Sequence, residues 1–289
     1  MPLSSAEAKR RIADLKQQGF DGALSLLSGP ENAFLSRLGN PPFPILLAWS
    51  EEVLIPPGKG SFLFGIDFEE NFRPIAWAVW ARRQNPPAWD FYFESLDARL
   101  NRLAKKTEDE FTNAGLSVRV FRFRRNEPEQ YGNVFSSSSF GGKRSALVWL
   151  PWNQAAAVGE ALAFQLGEGT FICLGKESPR LFSSNKLLYL TQDPNGGDRF
   201  AKARLTATWL IDAILAQENP PQGSQKLARA LEKVQRIEGS GEEIRLNPAK
   251  HRPLRKAVYF VRPHGDSLVI TDRMVLEERG EQYVSAIGR

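Results

Sequence analysis

The chain has 289 residues, 42% of them apolar and 11% aromatic, and 38 basic against 33 acidic side chains give a formal net charge of +5. That apolar content is enough to bury a sizeable core, which excludes global disorder. The single cysteine, Cys173, excludes an intrachain disulfide and a Cys-rich zinc cluster.

The amino terminus, MPLSSAEAKRRIADLKQQG, carries charges where a secretion signal needs its apolar run. No stretch approaches the roughly eighteen uninterrupted apolar residues of a membrane-spanning helix. The expectation is therefore a cytoplasmic protein with no membrane partner. A sequence pI near 9.3 permits contact with phosphates or acidic partners.

Residues 4–18 read as a helix, with Ser4 and Glu7 in a capping box and Ala8, Ile12 and Leu15 at helical spacing. A short helix over 30–38 is stopped by GNPPFP. ILLAW, EEVLIPP, GSFLFGIDFE, RPIAWAVWARRQ and AWDFYFES then read as strands broken by Pro and Gly, forming a meander that is antiparallel at least in part. Residues 96–113 are the clearest amphipathic helix, with Leu96, Leu100, Leu103 and Phe111 on one face. LSVRVFRFRR follows as a strand, and 126–145 as a long loop.

SALVWL, PWNQAAAVGEALAFQLG and TFICLG read as strand, helix and strand. They make a parallel βαβ unit at 146–174 with a right-handed crossover. NKLLYLT adds a strand, 198–217 and 224–237 are helices, and the tail reads as strands in an antiparallel hairpin. The fold class is α/β or α+β with a mixed sheet. Two domains are expected, 1–130 and 131–289, with one continuous domain as the alternative.

Several constellations could carry chemistry. GGKRS in the 126–145 loop has Gly-Lys, but Arg144 stands where a phosphate-binding loop needs Ser or Thr, and a strand follows instead of a helix. A basic loop around Lys143 and Arg144 could still fold over a phosphate backbone. In parallel sheets ligands sit beyond the carboxyl ends of strands. That rule points to Trp152 as a stacking platform, Asn153 as a helix cap beside an anion, and Lys176 as countercharge.

Arg119, Arg122, Arg124 and Arg125 interleave with phenylalanines in VRVFRFRR, a pattern suited to phosphate contacts and base stacking. KHRPLRK gives a further basic cluster, Lys250 to Lys256. Asp67 and Glu69 in FGIDFEENF share one strand face and could hold Mg²⁺, with Asp90, Glu94 or Lys59 completing the site. His251 and His264 lack the partners of a zinc site or a nucleophilic triad. Cys173, within an apolar strand, reads as a buried inert thiol.

The leading expectation is a non-catalytic module binding a nucleotide or nucleic acid within an assembly of other protein subunits. The alternatives are a metal-dependent nuclease or phosphodiesterase using Asp67 and Glu69, with Mg²⁺ as cofactor, and a structural adaptor without a small ligand.

Overall fold

The computed structural model describes residues 5–35, 39–56, 61–84, 88–94, 98–123, 144–149, 172–174, 187–193, 199–217, 219, 222–239, 242–264, 267–279 and 282–285. From the amino terminus the elements are α1 (Ser5–Gln17), β1 (Ala23–Ser25), α2 (Gly29–Leu35), β2 (Ile45–Leu47) and β3 (Leu63–Gly65). They continue as α3 (Phe72–Gln84), β4 (Ala88–Glu94), α4 (Ala98–Asn113), β5 (Val118–Phe123), β6 (Arg144–Trp149), β7 (Ile172–Leu174) and β8 (Leu187–Thr191). Then come α5 (Arg199–Leu215), α6 (Ser224–Lys233), β9 (Arg236–Gly239), β10 (Glu242–Asn247), β11 (Arg252–His264), β12 (Ser267–Arg279) and β13 (Gln282–Ser285). Two compact units are woven from them: residues 1–70, 197–257 and 275–282 form the first, and 71–196, 258–274 and 283–289 the second.

In the first unit β1, β2 and β3 form a parallel sheet in the register Ala23↔Ile45↔Leu63. Strand side chains alternate between faces. Ile45, Leu47 and Leu63 therefore pack with Ala8, Ile12 and Leu15 of α1 and Leu35 of α2. Leu46 and Phe64 point the other way, to Trp209 and Ala213 of α5 and Leu227 and Leu231 of α6. Each such side chain, fully buried, contributes about 1.5–3 kcal/mol. The antiparallel pair β9–β10 places Ile237 opposite Ile244, and both residues join the α5–α6 side of the core.

In the second unit β5, β4, β6, β7 and β8 run parallel in that spatial order, and β11 closes onto β8 antiparallel, with Phe260 opposite Leu190. One face of this sheet is aromatic. Trp77 and Trp80 of α3 meet Phe260 at ring-centroid distances of 5.2 Å each, and Trp89 of β4 meets Phe111 of α4 at 5.4 Å.

The expected fold class holds: the sheets are mixed, and β6 and β7 are the expected parallel pair, with Ala146 beside Ile172. The crossover segment between them lies outside the described residues. Three local readings are corrected. The strands β1 to β3, and β4 with β5, are parallel and form no antiparallel meander. EEVLIPP forms no strand over its described residues, where Glu51 and Glu52 turn and Val53 to Pro56 run irregularly. RPIAWAVWARRQ is helix α3. Nine of its residues, from Phe72 to Ala81, are buried on all sides, so no polar face marks the helical period. Pro74 sits in its first turn, where a missing N–H costs nothing. Among the described residues no helix is long and apolar enough to cross a membrane.

Candidate functional site

The carboxyl ends of β1, β2 and β3 form the most elaborated polar edge of the first unit. Asn32, fully buried in α2, ties the first two ends together. Its side-chain amide donates to the carbonyls of Leu27 (2.9 Å) and Trp49 (2.8 Å), and its Oδ1 accepts from the Ser25 hydroxyl (2.7 Å). The second and third ends interlock through Ser50 and Asp67. The Ser50 N–H donates to the Asp67 carboxylate at 3.1 Å, and the Asp67 N–H donates to Ser50 Oγ at 2.9 Å. Gly65 makes this approach possible, because a Cβ there would lie 2.6 Å from Ser50 Oγ.

The Arg252 guanidinium fastens the same two loops. It donates to the carbonyls of Ser50 (3.3 Å), Asp67 (3.2 Å) and Val53, and its Nε lies 3.3 Å from Glu69 Oε1. Its planar fork suits several oxygens at once, as a lysine would not.

Asp67 is the electrostatic centre. Its side chain is 1% exposed and carries two lysine partners, Lys202 Nζ of α5 at 3.2 Å and Lys256 Nζ of β11 at 3.0 Å. Burial works to raise its pKa, but the two ammonium groups and the Ser50 N–H outweigh it and hold the carboxyl far below the ordinary carboxylate range. Lys256 also donates to the Ile66 carbonyl at 3.1 Å. This polar floor has an apolar rim. Trp49 is half-buried with Lys202 Nζ 5.9 Å from its ring centroid, and Leu26 and Leu54, in the loops after β1 and β2, are 54% and 70% exposed.

These geometries correct the metal-site alternative. Asp67 is buried and held by two lysines, and Arg252 Nε lies 3.3 Å from Glu69, so cations already stand beside both carboxylates where Mg²⁺ would have to bind. Among the described residues no group of three His, Cys, Asp or Glu is placed to hold a metal ion. The KHRPLRK cluster is also redirected. Arg252 and Lys256 are buried, Lys250 pairs with Glu278 at 2.7 Å, and His251 stacks on Phe64 at 4.1 Å with Nε2 3.1 Å from Glu232.

The second unit accounts for the arginine-rich strand. Asp90, buried near the amino end of β4, receives Arg119 in a two-pronged contact of 2.8 and 2.7 Å, and Arg144 Nε at 2.8 Å. Arg144 also donates to the Trp89 carbonyl at 2.9 Å. The hydrogen bond to Asp90 raises the Arg119 pKa. Arg122 lies 5.9 Å from the Phe93 ring centroid. Arg119 and Arg144 are thus engaged by Asp90 at the amino ends of these strands, opposite the usual ligand side, while Arg122 is exposed nearer their carboxyl ends.

Asp90→Ala is expected to cost about 2–3 kcal/mol in urea unfolding, because it strands Arg144, whereas Arg119→Ala, at a partly exposed position, costs about 1 kcal/mol or less. Equal losses would contradict this assignment. On the same sheet burial pushes the Tyr189 hydroxyl up to about 12.

Lys59, Arg124, Arg125, Lys143, Trp152, Asn153 and Lys176 lie outside the described residues. Glu94 is buried at the carboxyl end of β4, and His264 is exposed at the end of β11. Sequence reasoning missed Asn32, Trp49, Ser50 and Lys202 altogether. It noted Arg252 and Lys256 only as members of a basic cluster. The available signal was their i, i+4 spacing on a strand, which puts both on one face.

No family model matches the chain, and no curated protein matches it. Solved structures do. A leucine-binding protein from Thermotoga maritima is similar with a TM-score of 0.69 and 15% identity, over 93% of this chain and 84% of that one. A branched-chain amino acid ABC transporter periplasmic ligand-binding protein from Burkholderia xenovorans gives 0.72 and 11%, over 94% and 82%. A solute-binding protein of an ABC transporter from Rhodopseudomonas palustris, in complex with 3,4-dihydroxybenzoic acid, gives 0.68 and 11%, over 94% and 83%.

At such identities the likeness is one of fold. Three expectations do not stand against these neighbours: the nucleotide- or nucleic-acid-binding module, the cytoplasmic place, and the absence of any membrane connection. The nuclease and adaptor alternatives fall with them.

Proposed function

We propose that this chain binds a small organic ligand bearing a carboxylate, an amino acid or a monocyclic aromatic acid, outside the cytoplasm and as the binding component of a membrane transporter. The observation that carries this reading is the likeness, over more than nine-tenths of the chain, to proteins described as binding leucine or solved with isoleucine or hydroxybenzoic acids. The carboxyl edge of β1 to β3 supports it. Pockets for such ligands combine an apolar body with a few fixed polar groups. Here Trp49, Leu26 and Leu54 supply the first, and Lys202, beside loops whose carbonyls and Ser50 amide are fixed by Asn32, Arg252 and Asp67, supplies the second.

The test is the melting temperature of the purified chain with leucine, isoleucine, benzoate, 4-hydroxybenzoate and 3,4-dihydroxybenzoate. A ligand at about one hundred times its dissociation constant adds about 2.7 kcal/mol, which corresponds to a rise of roughly 5 °C or more. At least one compound is expected to produce that rise. No rise with any member, alongside a salt-sensitive rise with short RNA, would overturn the reading.

A further inference from the structure

The first unit also holds a cavity of about 180 Å³ at the opposite end of its sheet. Ile45 and Leu63, the first residues of β2 and β3, form its floor. Ile12 of α1, Leu35 of α2 and Pro41 form walls, and Lys9 stands at its edge. The local sequence keeps this space open. Ala13, exposed on α1, lines it with only a methyl group. Pro41 and Pro42 are fixed in φ and give up little backbone freedom. The loop they belong to is pinned by the Phe62 N–H, which donates to Asn40 Oδ1 at 2.9 Å. A wall so held resists inward collapse, and the space opens to solvent past the exposed Lys9, Ala13, Asn40 and Pro42. An apolar cavity of about 150 Å³ accepts one benzene ring. This one is slightly larger and adds a cation: no carboxylate among the described residues pairs with Lys9.

We infer that this cavity is a second ligand site, specific for a monocyclic aromatic monocarboxylate, with the ring against Ile12, Leu35, Ile45 and Leu63 and the carboxylate at Lys9. It is independent of the carboxyl-edge site, since it lies at the amino ends of the same strands. A ring of benzoate size matches the space, and a single carboxylate matches Lys9, the one cation among the described lining residues. An uncharged ring would forgo the ion pair, and a second carboxylate would find no second cation among the described lining residues.

The experiment is methyl NMR of the full chain labelled at Ile and Leu, titrated with benzoate, in the wild type and in Trp49→Ala, Lys9→Gln and Ala13→Leu. The expected result is saturable movement of the Ile12, Leu35, Ile45 and Leu63 methyl signals, with a dissociation constant on the order of 1 mM. Trp49→Ala leaves that movement unchanged, which separates this site from the carboxyl edge. Lys9→Gln weakens it about threefold, the scale of an exposed ion pair. Ala13→Leu abolishes it while the remaining methyl spectrum stays dispersed; if that variant does not fold, Ala13→Val, a smaller plug, weakens it instead. Still signals from those four residues in the wild type, or movement that vanishes in Trp49→Ala, would overturn the inference.

Discussion

Asp67→Ala is expected to lower the unfolding free energy by about 3–5 kcal/mol, the largest effect of any single substitution considered. The reason is what it leaves behind. Lys202 and Lys256 are 11% and 2% exposed, and both ammonium groups lie within 3.2 Å of the Asp67 carboxylate. Removing one partner of a buried ion pair costs far more than the pair contributes. Replacing all three residues together with apolar ones of similar size should therefore recover most of the loss.

The pH dependence has a fixed sign. The folded-state pKa of Asp67 lies below its ordinary value of 3.8, so its stabilisation is complete above that value and is lost as pH falls below it. Urea melts from pH 6 down to about pH 2 should show this slope in the wild type and a flatter one in Asp67→Asn. A loss under 1 kcal/mol for Asp67→Ala would mean the lysines are solvated, and the buried triad would have to be abandoned.

Arg252→Ala is the second large effect, expected to cost about 3 kcal/mol and to weaken ligand binding at least tenfold. Three carbonyls, those of Ser50, Val53 and Asp67, lose a charged donor in a place closed to water. Those carbonyls belong to the loops that carry Trp49, Leu54 and the Ser50–Asp67 interlock, so the variant disorders the site as well as the fold. Arg252→Lys should rescue neither property fully, because an ammonium cannot reach three carbonyls and the Glu69 carboxylate in one plane. Full binding by Arg252→Ala would show that the loops need no such fastening.

What could be read in the sequence followed local periodicity. Helix α4 declared itself because Leu103 and Phe111 fall on one face and charges on the others. Helix α5 was anticipated within two residues at each end. The parallel pair β6–β7 was anticipated too, since a strand, helix and strand in so short a span leave little choice. Helix α3 escaped because a helix buried all round carries no period. The parallel sense of β1 to β3 escaped because register is decided between elements, not within them.

The site was legible only in fragments. Asp67 drew attention, but as a metal ligand. What decides its chemistry is a pair of lysines 135 and 189 residues further along the chain. Likewise Arg119 and Arg144 looked available for phosphate, when Asp90, 29 and 54 residues before them, already held both. A charge run shows its sign in sequence; whether it is spent within the fold depends on distant partners.

The most direct measurement is titration calorimetry of the compound that raises the melting temperature, into the wild type and into Trp49→Ala. Saturable binding is expected in the wild type, with a negative heat-capacity change from apolar burial. Trp49→Ala is expected to lose at least tenfold in affinity without loss of folding. Binding of equal strength in both proteins would contradict the placement of the ligand at the carboxyl edge of β1 to β3, and no heat with any amino acid or aromatic acid would contradict the small-ligand reading itself.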